Sequence, residues 1–212
     1  MSEWSNDLAN AVVEGDIDVA KKLINQALAE GATAQSIIDK GLTPGMDCVG
    51  QRFKEGEMFI PEVLLSARTM QAGMEILRPL LTEKQATAAG TVVIGTVEGD
   101  IHTIGKDLVS IMMEGAGFKV IDLGIDVKPQ RFVQAVREHK PDIVAMSAML
   151  TTTMPKFAET INALKEAGIR DRVKIMAGGA PVSRDFVAKV GADGYGSNAT
   201  AAVDSAKSLM GR

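Results

Sequence analysis

From Thr91 onward the chain repeats one unit five times: a short apolar run, then a segment of helix length. Strands are predicted at Thr91–Val97, Lys119–Asp122, Ile143–Ser147, Lys174–Ala177 and Gly194–Tyr195. Helices are predicted at Thr103–Gly115, Pro129–Glu138, Lys156–Ala167, Ser183–Val190 and Ala199–Met210. The strands are apolar throughout rather than alternating, which is the pattern of parallel strands buried on both faces. Five βα units imply a doubly wound, flavodoxin-like or Rossmann-like parallel sheet. Its ligands would sit beyond the strand C-termini at the topological switch point, between the first and third strands.

The first 82 residues read differently, as about four amphipathic helices. The first runs Ser5–Glu14. The second, Ile17–Glu30, repeats Ala20, Leu23, Ile24, Ala27 and Leu28 at helical spacing and stops at Gly31. The third lies within Ala34–Lys54, with Thr43-Pro44 restarting the helix as cap and first turn. The fourth starts at Pro61, aligns Val63, Leu64, Ala67, Met70, Met74 and Leu77, and ends at Pro79. Short loops between such helices imply a four-helix bundle. The predicted organisation is a helical bundle cap at 1–82, a small polar linker at 83–90 and a sheet domain at 91–212.

Charge narrows the function. The net charge is −4 over 212 residues with the signs interspersed, so no basic stripe invites nucleic acid or a membrane surface. The opening MSEWSNDLANAVVEG is not a signal peptide, and there is one cysteine, Cys48. A cytoplasmic location is expected.

Three loops leave strand C-termini with chemistry to offer. The first, Gly95 to Lys106, misses the dinucleotide fingerprint, because Gly95, Gly99 and Gly105 are wrongly spaced. It is one residue too long for a phosphate loop, and Asp107 stands where Ser or Thr would hold magnesium. What remains is Asp100-x-His102-x-x-Gly105. The His can reach out of the sheet, the Asp can accept its second N–H and raise its basicity as a metal ligand, and Gly105 admits a bulky group. The second loop offers Ser147, Thr151, Thr152 and Thr153 as a hydrogen-bonding wall, or Thr153 as a helix cap. The third offers Gly178-Gly179, either a tight turn or a close approach to a planar or elongated group. His139, at the end of a polar helix, is not a ligand candidate, and the lack of a His/Cys cluster disfavours zinc.

Asp100-x-His102-x-x-Gly105, then Ser147-x-Met149, then Gly178-Gly179, resembles the DxHxxG, SxL and GG series of cobalamin-binding methyl carriers. These are the cobalamin module of methionine synthase and, more closely, the small corrinoid proteins of methyltransferase systems. Met149 departs from the usual Leu. The segment Phe53–Ala67 resembles the family's helical cap. The resemblance implies a cobalt corrinoid (cobalamin) with His102 as the metal ligand in place of the cofactor's own base. It also implies Thr103, Gly105, Ser147, Met149, Thr151, Gly178 and Gly179 around the cofactor and its tail. Thr153 would extend the Asp100–His102 relay, and Phe53 and Ile60 would shield the upper face.

The implied function is a carrier of methyl groups on cobalt between a substrate-specific methyltransferase and an acceptor methyltransferase, serving tetrahydrofolate or a thiol. Such a chain is non-catalytic alone, or the corrinoid component of a larger enzyme, with a reductive activating protein as a further partner. The alternatives are the cobalamin subunit of an isomerase or mutase, against which the helical cap argues, and a cobalamin-dependent sensor, which would need an output domain. A flavodoxin-like binding module is the alternative outside cobalamin chemistry. The methyl donor is not legible: methoxyaromatics, methylamines, methanol and quaternary amines all remain open.

Overall fold

The structure, a computed structural model, describes residues 3–82 and 89–211. The chain divides into two compact units, Met1–Ala88 with Glu114–Gly117, and Ala89–Met113 with Phe118–Arg212. Of the linker expected at 83–90, residues 83–88 lie outside the described residues.

The first unit is helical: α1 (Glu3–Glu14), α2 (Ile17–Ala29), α3 (Ala34–Ile37), α4 (Thr43–Glu55) and α5 (Ile60–Leu77). Asp16 caps α2 by accepting the Val19 N–H at 3.0 Å. Gly31, in the left-handed region at φ 88°, closes α2 with Gly31 N–H to Leu28 and Ala32 N–H to Ala27. The apolar stripes pack inward, with Leu8, Val12, Ile24, Ile37, Leu42, Val49, Val63, Met70 and Leu77 all buried. An α-helix does begin at Thr43, with Pro44 in its first turn, but not as a capped start. Thr43 is itself helical (φ −62°, ψ −47°), and a π-turn at Ile38–Leu42 joins α3 to α4, with the Thr43 N–H bonding the Ile38 carbonyl. Pro44 lacks an N–H and would crowd the Lys40 carbonyl in an unbroken α-helix, so the wider turn absorbs it.

The second unit is a five-stranded parallel sheet in the order β2-β1-β3-β4-β5, the flavodoxin-like arrangement. Its strands are β1 (Thr91–Thr96), β2 (Lys119–Asp122), β3 (Ile143–Ser147), β4 (Lys174–Gly178) and β5 (Gly194–Gly196). The helices are α6 (Ile104–Gly115), α7 (Pro129–His139), α8 (Pro155–Glu166), α9 (Arg184–Val190) and α10 (Ala199–Leu209). Every residue of β1 is buried, as its unbroken apolar run requires. Phe132 of α7 and Phe157 and Ile161 of α8 are fully buried in one cluster with Val93, Val144 and Ile175 of the central strands. β1 pairs with β3 from Val92↔Ile143 to Thr96↔Ser147, so the first two chemistry-bearing loops leave neighbouring strand ends at the switch point. β3 pairs with β4 through Ser147↔Gly178, which brings the third loop alongside.

Gly178-Gly179 owes its composition to this convergence. A Cβ on Gly179 would lie 1.8 Å from the Ala148 carbonyl oxygen, and its φ is 123°. The close approach that the two glycines permit is therefore, at Gly179, to the chain's own β3–α8 loop. Gly105 is the opposite case: a Cβ there meets nothing within 4 Å. Gly179→Ala should cost at least about 3 kcal/mol in chemical denaturation, from a backbone clash in a strained conformation. Gly105→Ala should change the same quantity by no more than about 0.5 kcal/mol in cofactor-free protein.

Candidate functional site at the sheet switch point

Asp100 organises the loop after β1. Its side chain is in a residue with 0% exposure, yet it is an acidic group, so its oxygens must be fully served. Oδ1 accepts the His102 backbone N–H at 3.1 Å and faces His102 Nδ1 at 2.7 Å. Oδ2 accepts the Met149 N–H at 2.7 Å and the Leu150 N–H at 3.3 Å. Thr153 Oγ1 lies 2.9 Å from Oδ2 and 2.9 Å from the Leu150 carbonyl, so its single hydrogen serves these two acceptors in turn. One carboxylate thus ties the β1 loop to the β3 loop across the switch point.

Burial alone would raise the pKa of Asp100. The bonds from the Met149 amide, the His102 ring and amide and the Thr153 hydroxyl outweigh it, and hold the carboxyl well below the usual carboxylate range. When ionised, it favours the tautomer of a neutral imidazole that carries its proton on Nδ1. Nε2 is left with a free lone pair. The His102 side chain is 49% exposed, so that lone pair is presented outward. The Thr96 hydroxyl, donating to the His102 carbonyl at 2.9 Å, holds the backbone at His102 itself. Behind the loop, Lys106 is buried against Asp107, at 2.6 Å, and Asp122. Burial lowers its pKa, but the two carboxylates raise it above the ordinary lysine value.

The remaining predicted residues divide between the two units. Thr103 is half-buried before α6, Ser147 is half-buried at the end of β3, Thr151 is exposed and Thr153 is buried. Thr153 does not cap α8. The residue before that helix is Met154, with no side-chain cap bond, and the hydroxyl is engaged by Asp100 and Leu150 instead. Phe53 and Ile60 lie in the helical unit, Phe53 half-buried and Ile60 exposed. Phe59, which sequence reasoning passed over, is 67% exposed. A set of exposed apolar residues beside the predicted Met149 was also missed: Ile101, Ile104, Ile125 and Leu150, all on the strand-end side of the sheet. The signal was available, because such loops are ordinarily polar. A solvent-facing isoleucine on each side of His102 departs from that rule.

Comparison with known proteins places this geometry. Profiles of the B12 binding domain match residues 90–204 and, as a second type, residues 4–78. The chain belongs to the B12-binding family of corrinoid proteins. It is 47% identical over 203 residues to the trimethylamine corrinoid protein 2 of Methanosarcina mazei, spanning 95% of this chain and 93% of that one. It is 43% identical over 209 residues to the dimethylamine corrinoid protein 1 of Methanosarcina acetivorans, spanning 98% of each. Among solved structures it resembles the methanol:cobalamin methyltransferase complex of Methanosarcina barkeri. The TM-score is 0.88 and the identity 34%, over all of this chain and 81% of that one.

The residues of this corrinoid protein fit the cofactor. Among the described residues no three His, Cys, Asp or Glu side chains converge to cage a bare ion. A single outward imidazole with a carboxylate behind it suits a metal that arrives already ringed by a macrocycle and needs one axial donor. The exposed isoleucines, Met149 and Leu150 offer apolar surface suited to the flat ring. No helix among the described residues is long and apolar enough to cross a membrane.

The depressed pKa of Asp100 makes a prediction with a definite sign. Its contribution to stability is complete above its ordinary value of 3.8 and is lost as the pH falls toward the lower folded value. Asp100→Asn should cost about 2 kcal/mol at pH 7, since donors that faced a carboxylate oxygen then face an amide NH2. The gap between variant and wild type should narrow when urea denaturation is repeated below pH 3.8.

Proposed function

We propose that this chain holds a corrinoid with His102 Nε2 as the lower axial ligand, the cofactor's own base displaced, and carries a methyl group from a methylamine-specific methyltransferase to an acceptor methyltransferase. The observation that carries the proposal is the 2.7 Å contact between His102 Nδ1 and the buried carboxylate of Asp100, which leaves Nε2 of a half-exposed imidazole among apolar loops. The names of the relatives support a methylamine donor, with trimethylamine the first candidate. When bound, the cobalt supplies the group that accepts and releases methyl. The protein supplies position and proton control. His102 gives its Nε2 lone pair while Asp100 holds the Nδ1 proton. Whether or not Nε2 is engaged, the Asp100 contact would keep the imidazole oriented through Nδ1.

Ser147, Thr151, Gly178 and Gly179 would flank the displaced tail, Thr103, Gly105 and Met149 the ring, and Phe53 and Ile60 would shield the upper face. The division into cap, linker at 83–90 and sheet domain would let the cap clear the cobalt when a partner docks. An acceptor serving tetrahydrofolate or a thiol, and a reductive activating protein, complete the proposed cycle.

The test is a panel of partners. The protein loaded with corrinoid is mixed in turn with methyltransferases specific for trimethylamine, dimethylamine, monomethylamine and methanol, each with its substrate, and methylation is followed by visible absorption. The trimethylamine pair should methylate the wild-type protein fastest, and His102→Ala should retain the cofactor at least about tenfold more weakly. Preference for the methanol pair would overturn the donor assignment, and undiminished retention by His102→Ala would overturn the axial role.

A further inference from the structure

Asp126 has no part in the reading above, yet it carries unusual backbone geometry next to the site. Among the described residues only two non-glycine residues have positive φ, Asp126 at 51° and Lys140 at 47°. Lys140 is the C-cap of α7, where a left-handed residue is routine. Asp126 caps no helix. It sits in the loop between β2 and α7, and such strain persists only where the surroundings enforce it.

The surroundings are the loop that bears the ligand. Asp126 Oδ1 accepts the Gly99 N–H at 2.7 Å, and the Asp126 N–H donates to the Asp100 carbonyl at 3.0 Å. The two bonds bracket Asp100 from the residue before it and from its own carbonyl. They continue a line of pairing past the end of β1, in which the Thr96 N–H bonds Gly124, the Val127 N–H bonds Thr96, and Val97 bridges Val127. The base of the loop is itself fixed, because Asp122 Oδ1 accepts the Gly124 N–H at 2.8 Å and Oδ2 holds Lys106.

We infer that Asp126 is a positioning residue for the axial ligand, pinning the Gly99–Asp100 backbone from which the His102 imidazole is presented. The inference rests on His102 being that ligand. The five donors on the Asp100 carboxylate fix the end of its side chain. The main chain two residues from His102 is held instead by the Asp100 N–H on the Val97 carbonyl at 3.1 Å and, at the Gly99 N–H and the Asp100 carbonyl, by Asp126. The residue type suits both duties. Asp and Asn tolerate the left-handed region and carry a short acceptor that reaches a neighbouring amide. Gly would supply the φ without the acceptor, and Ala would supply neither.

That difference makes the test. Asp126→Asn, Asp126→Gly and Asp126→Ala are prepared in the full chain beside His102→Ala. Two quantities are read: hydrogen exchange of the Gly99 amide in cofactor-free protein, and the affinity and visible spectrum on titration with hydroxocobalamin. Asp126→Asn should stay within about twofold of wild type in both, since it keeps φ and acceptor. Asp126→Gly and Asp126→Ala should speed Gly99 exchange and weaken corrinoid retention about tenfold, with partial loss of the histidine-ligated spectrum. A glycine variant with wild-type exchange, or with faster exchange but wild-type retention and spectrum, overturns the inference. If His102→Ala loses the ligated spectrum in that same experiment, the axial reading stands and only the role of Asp126 falls. If His102→Ala keeps it, both fall.

Discussion

A carboxylate shut away from solvent is tolerable only when its charge is met on every side, and Asp100 meets that condition by drawing in two loops. The donors on its oxygens come from His102 on its own loop and from Met149, Leu150 and Thr153 on the loop after β3. Without that anion three groups of the second loop and the imidazole of the first would have no common point of attachment. With it, the imidazole is oriented, its proton is assigned to Nδ1 and its other nitrogen is free to bind a metal. The orientation of the imidazole is therefore a by-product of satisfying a buried charge.

The sheet makes this arrangement affordable in topology alone. Neighbouring strands β1 and β3 end in register at Thr96 and Ser147, so their loops begin side by side. The chain after β4 joins them because Gly179 can pass the Ala148 carbonyl where no side chain fits. Apolar strands buried on both faces hold these ends still. The apolar side chains left outside, from Ile101 to Leu150, are what the sheet itself does not need. A flat apolar cofactor gives them a reason, and the family membership of the chain says what that cofactor is.

Much of this was legible in the residues. Apolar runs bounded by helix-length segments located the strands to within a residue or two, and their alternation implied a doubly wound parallel sheet, of which the observed β2-β1-β3-β4-β5 order is the flavodoxin-like form. Asp100 and His102 stood out because their loop fitted no phosphate or dinucleotide pattern. What was missed shares one physical cause: bonds between residues distant in sequence, or compensations between neighbours. Thr43-Pro44 reads as a helix start, but the π-turn before it lets the helix run on. Thr153 reads as a cap from its place before Pro155, and only the family resemblance tied its hydroxyl to the carboxylate 53 residues earlier that holds it. Asp126 is one aspartate among many until its Oδ1 is found on the Gly99 amide, 27 residues away.

The central claim is that a protein imidazole, that of His102, replaces the cofactor's own base on cobalt, and one spectrum addresses it. Protein grown with 15N-histidine, loaded with unlabelled corrinoid and brought to the paramagnetic cobalt(II) state, reports its axial nitrogen through the splitting of the electron paramagnetic resonance lines. An axial nitrogen from the label splits each line into a doublet, whereas the unlabelled base of the cofactor gives a triplet. The chain has two histidines, so the measurement is made on wild type and on His139→Gln. Doublets in both samples are the predicted result; triplets in the labelled wild-type protein would contradict the account.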